Sequence, residues 1–130
     1  MNIRLIDADA SILGGTRELS DLLGIALCEE GIPVTVGRTG EGLSVSPDGQ
    51  VYLIRYHRKV EFFRALGLLA EGLKRNETVS LRQAPRFRMN GFMMDNSRNA
   101  VQTVSTIRGM IRYMVLMGLS TLQLYTAGAI

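Results

Sequence analysis

Residues 86–125 carry a strand–helix–strand pattern that cannot bury both of its own faces. The continuous apolar run at residues 92–94 stops at Asp95, which is typical of a strand buried on both faces, as in parallel sheets. Apolar residues then recur at helical spacing after Thr103, a candidate N-cap, and residues 121–125 form a second strand. Because one helix covers one face of a strand pair, this pattern is typical of the opening of a larger α/β structure.

Residues 1–84 follow a different pattern, and we place a domain boundary between them and residues 85–130. The first helix is predicted to start after a Thr16 cap and to end before Gly31. The other predicted elements are strands at residues 2–6, 33–36 and 78–81, a hairpin at 43–56 around Pro-Asp-Gly, and a second helix at 59–74. This order predicts an α+β domain, with two helices on one face of a mostly antiparallel sheet.

The composition excludes several kinds of site. One cysteine, Cys28, and one histidine, His57, allow neither an internal disulfide nor a thiolate or histidine metal cluster. We therefore predict no metal and no cofactor. Cys28 is expected to be a small core side chain. Six of the seven methionines are expected to fill core positions rather than bind a soft metal: Met89, Met93, Met94, Met110, Met114 and Met117.

The net charge of +3 is unevenly distributed, because residues 85–130 hold five arginines and one acid. A basic segment can attract nucleic acid. However, these arginines are scattered singly, tryptophan is absent and aromatic residues make up 6% of the chain, which is poor for base stacking. We predict no nucleic-acid partner. The alternative, a small nucleic-acid binder with a ferredoxin-like order of elements, would need Tyr52 and Tyr56 on an exposed sheet face.

The sequence gives no indication of a membrane association. No apolar run reaches the ~18 residues of a membrane span. Charged residues interrupt the apolar run at the N-terminus, at Arg4 and Asp7, which argues against a secretory signal. We expect no membrane partner and a cytoplasmic location.

Residues 90–99, the helix that follows and the final strand resemble the start of the catalytic barrel of family 20 glycoside hydrolases, the β-N-acetylhexosaminidases. The pattern of that family is Arg-Gly-x-x-Leu-Asp-x-x-Arg, and Gly91, Asp95 and Arg98 fit its spacing. Asn90 stands where many members have an arginine that binds sugar hydroxyls. The resemblance implies that Asn90, Asp95 and Arg98 are substrate-binding residues. For Asp95 and Arg98 the alternative is a structural ion pair that fixes the first loop of the barrel.

Residues 1–84 resemble the small α+β domain that precedes the barrel in these enzymes. Residues 85–130 would then supply the first β-α-β segment of a (β/α)₈ barrel, which needs about 250 residues in total. We therefore expect the chain to be the N-terminal piece of a longer enzyme, with residues 127–130 as a tail that departs from the family pattern.

The resemblance implies a retaining hydrolysis assisted by the substrate itself. In this reaction the acetamido oxygen of an N-acetylhexosamine attacks its own anomeric carbon, a glutamic acid protonates the leaving oxygen, and an adjacent aspartate orients the acetamido group. The chain contains no Asp-Glu dipeptide. We therefore predict no catalytic residue within it, and no activity for the isolated chain.

A second hypothesis is that the chain is a stand-alone binding or assembly module without catalysis. An incomplete barrel leaves open strand edges and apolar surface. Both hypotheses therefore predict self-association of the isolated chain.

Overall fold

The computed structural model describes residues 1–97 and 101–126. The chain forms two compact units, of which the first is Met1–Pro85 and the second starts at Arg86. The helices are α1 (Ala10–Leu23), α2 (Lys59–Lys74) and α3 (Val104–Met117). The strands are β1 (Asn2–Ile6), β2 (Ala26–Leu27), β3 (Ile32–Arg38), β4 (Leu43–Asp48), β5 (Val51–Tyr56), β6 (Leu81–Gln83), β7 (Gly91–Asp95) and β8 (Thr121–Tyr125).

The first unit is a six-stranded sheet in the order β2-β1-β3-β5-β4-β6. Strand β1 runs parallel to β2 and β3, and β3 runs parallel to β5, whereas β4 is antiparallel to β5 and β6. The predicted α+β class is confirmed, but the sheet is mixed rather than mostly antiparallel. A helical crossover returns the chain in the same direction, so α1 makes β1 and β3 parallel.

Both helices of this unit cover the same face of the sheet. Helix α2 packs against β4 and β5, and α1 packs against α2 and β2. The core between sheet and helices contains fully buried aliphatic and aromatic side chains: Ile3, Ile12, Val34, Val45, Ile54, Phe62, Leu66 and Leu69. Because side chains alternate along a strand, the residues between these core positions point to the opposite face.

Helix α1 begins earlier than its predicted Thr16 cap. Asp9 is the N-cap, and its carboxylate accepts a hydrogen bond of 2.9 Å from the Ile12 N–H. Thr16 is instead buried inside the helix, where its hydroxyl donates to the Ile12 carbonyl oxygen over 2.7 Å. The helix ends at Gly24, which has a φ of 65°, so the predicted continuation toward Gly31 is wrong.

The central hairpin and the second helix form where the sequence predicts them. Strands β4 and β5 are joined at Gly49, which has the positive φ of 65° that a tight turn requires. Helix α2 spans residues 59–74, and at its start the Glu61 carboxylate accepts a hydrogen bond of 3.1 Å from the Arg58 N–H. The last strand of the unit starts at Leu81, later than predicted.

The second unit is a parallel β-α-β segment, as predicted. Strands β7 and β8 pair in register along their whole length, and α3 connects them. Thr103 caps α3 by accepting from the Thr106 N–H over 3.1 Å, and Gly118 ends the helix with a φ of 81°.

The interior of this second unit is small. In the described part of the chain its buried apolar side chains are Met94 and Met114. Phe92 and Met93 are 46% and 59% exposed, so the predicted burial of β7 on both faces is wrong for this structure. The physical reason is that a two-stranded sheet with one helix has no layer to cover its second face.

Candidate functional site

The candidate site lies where β7 and β8 end. The paired residues at this end are Asp95 and Tyr125, and the Asn96 N–H extends the pairing by donating to the Tyr125 carbonyl oxygen over 2.8 Å. The side chain of Asp95 is exposed. Functional groups of parallel α/β structures collect at the carboxyl ends of the strands, so this is the end of the unit at which a ligand is expected.

Ser97 holds the Asp95 carboxylate in a fixed orientation. Asp95 Oδ1 accepts from the Ser97 N–H over 2.8 Å and from the Ser97 hydroxyl over 2.5 Å. The Ser97 hydroxyl, and after it the Ser97 N–H, hold the pKa of Asp95 below its ordinary value of 3.8. Asp95 is therefore ionised near neutral pH and can accept hydrogen bonds from a ligand, but it is poorly suited to act as a general acid.

Asn96, the residue after Asp95, carries a polar atom that is unpaired within the part of the chain that the structure describes. Its Oδ1 atom is buried and has no hydrogen-bond partner among the described residues. A buried acceptor without a partner costs about 1–3 kcal/mol, which makes this amide an unusual feature of a surface turn.

The structure separates two of the three predicted substrate-binding residues. Asn90 precedes β7, at the opposite end from Asp95, and the extended chain from Asn90 to Asp95 spans about 16 Å. The Asn90 carbonyl oxygen accepts from the N–H groups of Ser120 and Thr121, at 2.8 and 3.2 Å. Asn90 thus fixes the junction between α3 and β8. Arg98 lies outside the described residues.

The two tyrosines of β5 do not form an exposed platform. Tyr56 is 3% exposed and packs edge-on against Phe62, with the ring centres 5.7 Å apart. The Tyr52 hydroxyl accepts from the Val79 N–H over 3.4 Å. Both side chains are therefore used by the first unit itself, and the nucleic-acid alternative loses the residues on which it depended.

The remaining chemistry-bearing residues are dispersed. Cys28 is half-buried with a free thiol. Among residues 1–97 and 101–126, no group of three His, Cys, Asp or Glu side chains could hold a metal ion. Within the same ranges, no helix has both the length and the apolar character that a membrane crossing requires.

The sequence reasoning missed Ser97 as the residue that positions Asp95. Its signal was available, since an aspartate followed two residues later by serine is the spacing of a turn in which the carboxylate bonds to the main chain ahead of it.

No protein-family model and no curated protein matches this sequence. Solved structures do match its fold. A β-N-acetylhexosaminidase from Bacteroides fragilis aligns with a TM-score of 0.69 at 17% identity, covering 95% of this chain and 28% of its own. A family 20 exo-β-N-acetylglucosaminidase from Vibrio harveyi, solved with N-acetylglucosamine, aligns with a TM-score of 0.68 at 16% identity, covering 95% and 22%.

A third structure, a family 138 enzyme targeting pectin rhamnogalacturonan II, aligns with a TM-score of 0.67 at 10% identity and covers 98% of this chain. The present chain spans between 19% and 28% of the length of these three proteins. The resemblance to the hexosaminidases that residues 90–126 suggested is thus confirmed at the level of the fold. Since an enzyme of another family shares the fold, the fold alone does not fix the reaction.

Proposed function

We propose that this chain is part of a glycoside hydrolase that removes terminal β-linked N-acetylhexosamines. The observation that carries the proposal is a likeness in fold to family 20 hexosaminidases over 95% of the chain. It is supported by Gly91, Asp95 and Arg98, whose spacing fits the pattern of the first barrel strand. The likeness covers residues of both units. This is what we expect if a small α+β domain is followed by the start of a barrel.

The proposed reaction is substrate-assisted retaining hydrolysis. The acetamido oxygen of the substrate attacks the anomeric carbon, a glutamic acid of the whole enzyme protonates the leaving oxygen, and a neighbouring aspartate orients the acetamido group. Asp95, ionised and oriented by Ser97, would accept a hydrogen bond from a sugar hydroxyl at the mouth of the barrel. Arg98 would bind the sugar or pair with Asp95. Asn90 precedes β7 at its opposite end and would contact only a substrate that reaches that end.

The 130-residue chain alone is expected to be inactive, because it contains no Asp-Glu pair. We predict that it releases no p-nitrophenol from p-nitrophenyl N-acetyl-β-glucosaminide above the uncatalysed rate. Asp95→Ala and the control Asp48→Ala should behave like the unmodified chain. Turnover by a purified sample that Asp95→Ala abolishes and Asp48→Ala leaves intact would overturn this prediction.

The alternative is an assembly module without catalysis, and the exposed apolar surface of the second unit fits it as well as it fits an incomplete barrel. Large apolar side chains are exposed on both strands and on the helix of that unit: Phe92, Met93, Ile111, Tyr113, Met117 and Leu124. Such a surface promotes association. We expect light scattering to show that the chain is a dimer or larger. A double variant that carries Met93→Ser and Tyr113→Ser should be shifted toward the monomer. A clean monomer of the unmodified chain at high concentration would contradict this.

A further inference from the structure

The sheet of the first unit leaves one face uncovered, and a basic row crosses it. Strand register aligns Gly37, Arg55, Ser44 and Arg82 across β3, β5, β4 and β6. Each of these positions alternates with a core residue such as Ile54, so all four lie on the side away from the helices. We call this side the open face and this line of residues the basic row.

The residues that flank the basic row toward β1 are aliphatic or hydroxyl-bearing and half-buried, and a further exposed arginine, Arg4, lies on the same face at β1. The row next to the basic row consists of Ile6, Thr35, Leu53 and Ser46. The only acid that strand register places on this face within the described residues is Asp48, at the far end of β4. The first unit as a whole is slightly acidic, with ten basic and eleven acidic residues in positions 1–84. The charge of the open face therefore has the opposite sign to that of its unit.

The two arginines of the basic row are available to a ligand. Arg55 and Arg82 are both exposed, and in the described part of the chain neither forms a hydrogen bond or an ion pair with another residue. They stand two strands apart, which separates their Cα atoms by about 10 Å, with the Ser44 hydroxyl between them. The aliphatic part of the Arg55 side chain lies over Gly37. A Cβ atom on residue 37 would lie 3.8 Å from Arg55 Cγ.

A guanidinium group is a planar fork that binds carboxylate and sulfate through paired hydrogen bonds. Two such groups in a line, separated by a hydroxyl, complement a ligand that carries anionic groups at regular intervals along an extended chain. A single small anion could engage both guanidinium groups only if the two side chains converged over Ser44, whereas an extended polymer can contact each arginine where it stands. Spacing and charge together favour a polymer that crosses β5, β4 and β6.

We propose that the basic row binds an anionic polysaccharide, with a sulfate or carboxylate group on each of Arg55 and Arg82. Among the described residues the open face carries no aromatic ring, which disfavours nucleic acid because bound single strands rely on base stacking. Contacts to sulfate or carboxylate groups require no stacking platform. This inference does not depend on the proposed hydrolase reaction, since the basic row lies on the first unit.

The test is binding of fluorescein-labelled heparin to the full chain at low salt, measured by fluorescence anisotropy. We expect binding that depends on salt. In the double variant that carries both Arg55→Gln and Arg82→Gln, the affinity for heparin should fall by about tenfold. The matched control is Arg75→Gln, which changes an exposed arginine paired with Glu71 at the end of α2. The control should change the affinity less than twofold, and circular dichroism should confirm that each variant is folded.

Several outcomes would overturn the proposal. One is the absence of heparin binding, and another is an equal loss of binding in the double variant and in the Arg75 control. A third is displacement of heparin by inorganic sulfate as effectively as by unlabelled heparin at equal ionic strength, which would indicate a single-anion site. Tighter binding of a poly(U) oligonucleotide that depends on the same two arginines would replace the polysaccharide by nucleic acid.

Discussion

Asp95 is the residue on which the candidate site depends, and its chemistry is set by Ser97. Two hydrogen bonds from one neighbour fix the carboxylate and stabilise its ionised form. An exposed strand-end aspartate without such a partner would rotate freely. The turn therefore provides an oriented, ionised acceptor at the carboxyl end of β7.

Removing the Ser97 hydroxyl should raise the pKa of Asp95. In Ser97→Ala the larger of the two causes of the low pKa is lost, and the value should move up toward 3.8. The lowered pKa means that the hydrogen bonds favour folding above pH 3.8 and lose this effect as pH falls through the folded value. Carboxyl chemical shifts followed by NMR between pH 2 and pH 6 would check this.

Asp9 provides an internal control for that titration. Its pKa is also lowered, chiefly by the Ile12 N–H at the start of α1, and Ser97 plays no part in it. The Asp9 carboxyl should titrate at the same pH in the unmodified chain and in the Ser97→Ala variant. A Ser97→Ala variant in which the Asp95 pKa stays in place would contradict the role assigned to Ser97.

At the scale of elements, the aromatic cluster of α2 stabilises the first unit. Phe62 is completely buried and meets Tyr56 and Phe63 edge-on, at ring-centre distances of 5.7 and 5.3 Å. Edge-to-face pairs of this kind contribute beyond the area they bury. The cluster joins α2 to β5, which is also the strand that carries Arg55.

Phe62→Ala should lower the free energy of unfolding by about 3–5 kcal/mol, because it leaves a cavity in a packed core. Urea denaturation followed by circular dichroism measures the change. The control is Leu22→Ala on α1, where the side chain is 38% exposed. This substitution should lower the free energy of unfolding by less than about 1 kcal/mol, as expected for a surface position. Equal losses in the two variants would contradict the packing described here.

The elements differ in how far their sequences predict them. The 43–56 hairpin and helix α2 have local signals, a glycine turn and a periodic apolar face, and both form as predicted. The sequence predicts too late a start for helix α1, because Gly14 and Gly15 suggest a loop. In the fold, Gly15 lies against the Phe63 ring, where a side chain would overlap it. That contact joins residues far apart in sequence, so no local pattern reveals it.

Strand order also escapes local reasoning. The position of β5 between β3 and β4 makes the sheet mixed, and it also brings Arg55 and Arg82 into one row. Periodicity identifies a strand and its two faces, but not its neighbours. For the candidate site, the sequence predicts Asp95 at the end of a strand, and the separation of Asn90 from it follows from the extent of β7, which begins at Gly91 and ends at Asp95.

At the scale of the whole molecule, the two units differ in the completeness of their cores. The first unit has a sheet packed against two helices, with a buried core of aliphatic and aromatic side chains. In the second unit, Met94 and Met114 are the buried apolar side chains of the described part, and the strands expose Phe92, Met93 and Leu124. A β-α-β segment becomes covered on both faces when further units continue the sheet, as in a closed barrel.

The central proposal is that the chain belongs to a barrel glycosidase, and the nucleotide sequence of its gene beyond codon 130 tests this most directly. We predict an open reading frame that continues into about six further strand–helix units. An Asp-Glu pair should follow the fourth strand of the barrel. A natural stop codon directly after the codon for Ile130 would contradict the proposal and leave the assembly module as the account of this protein.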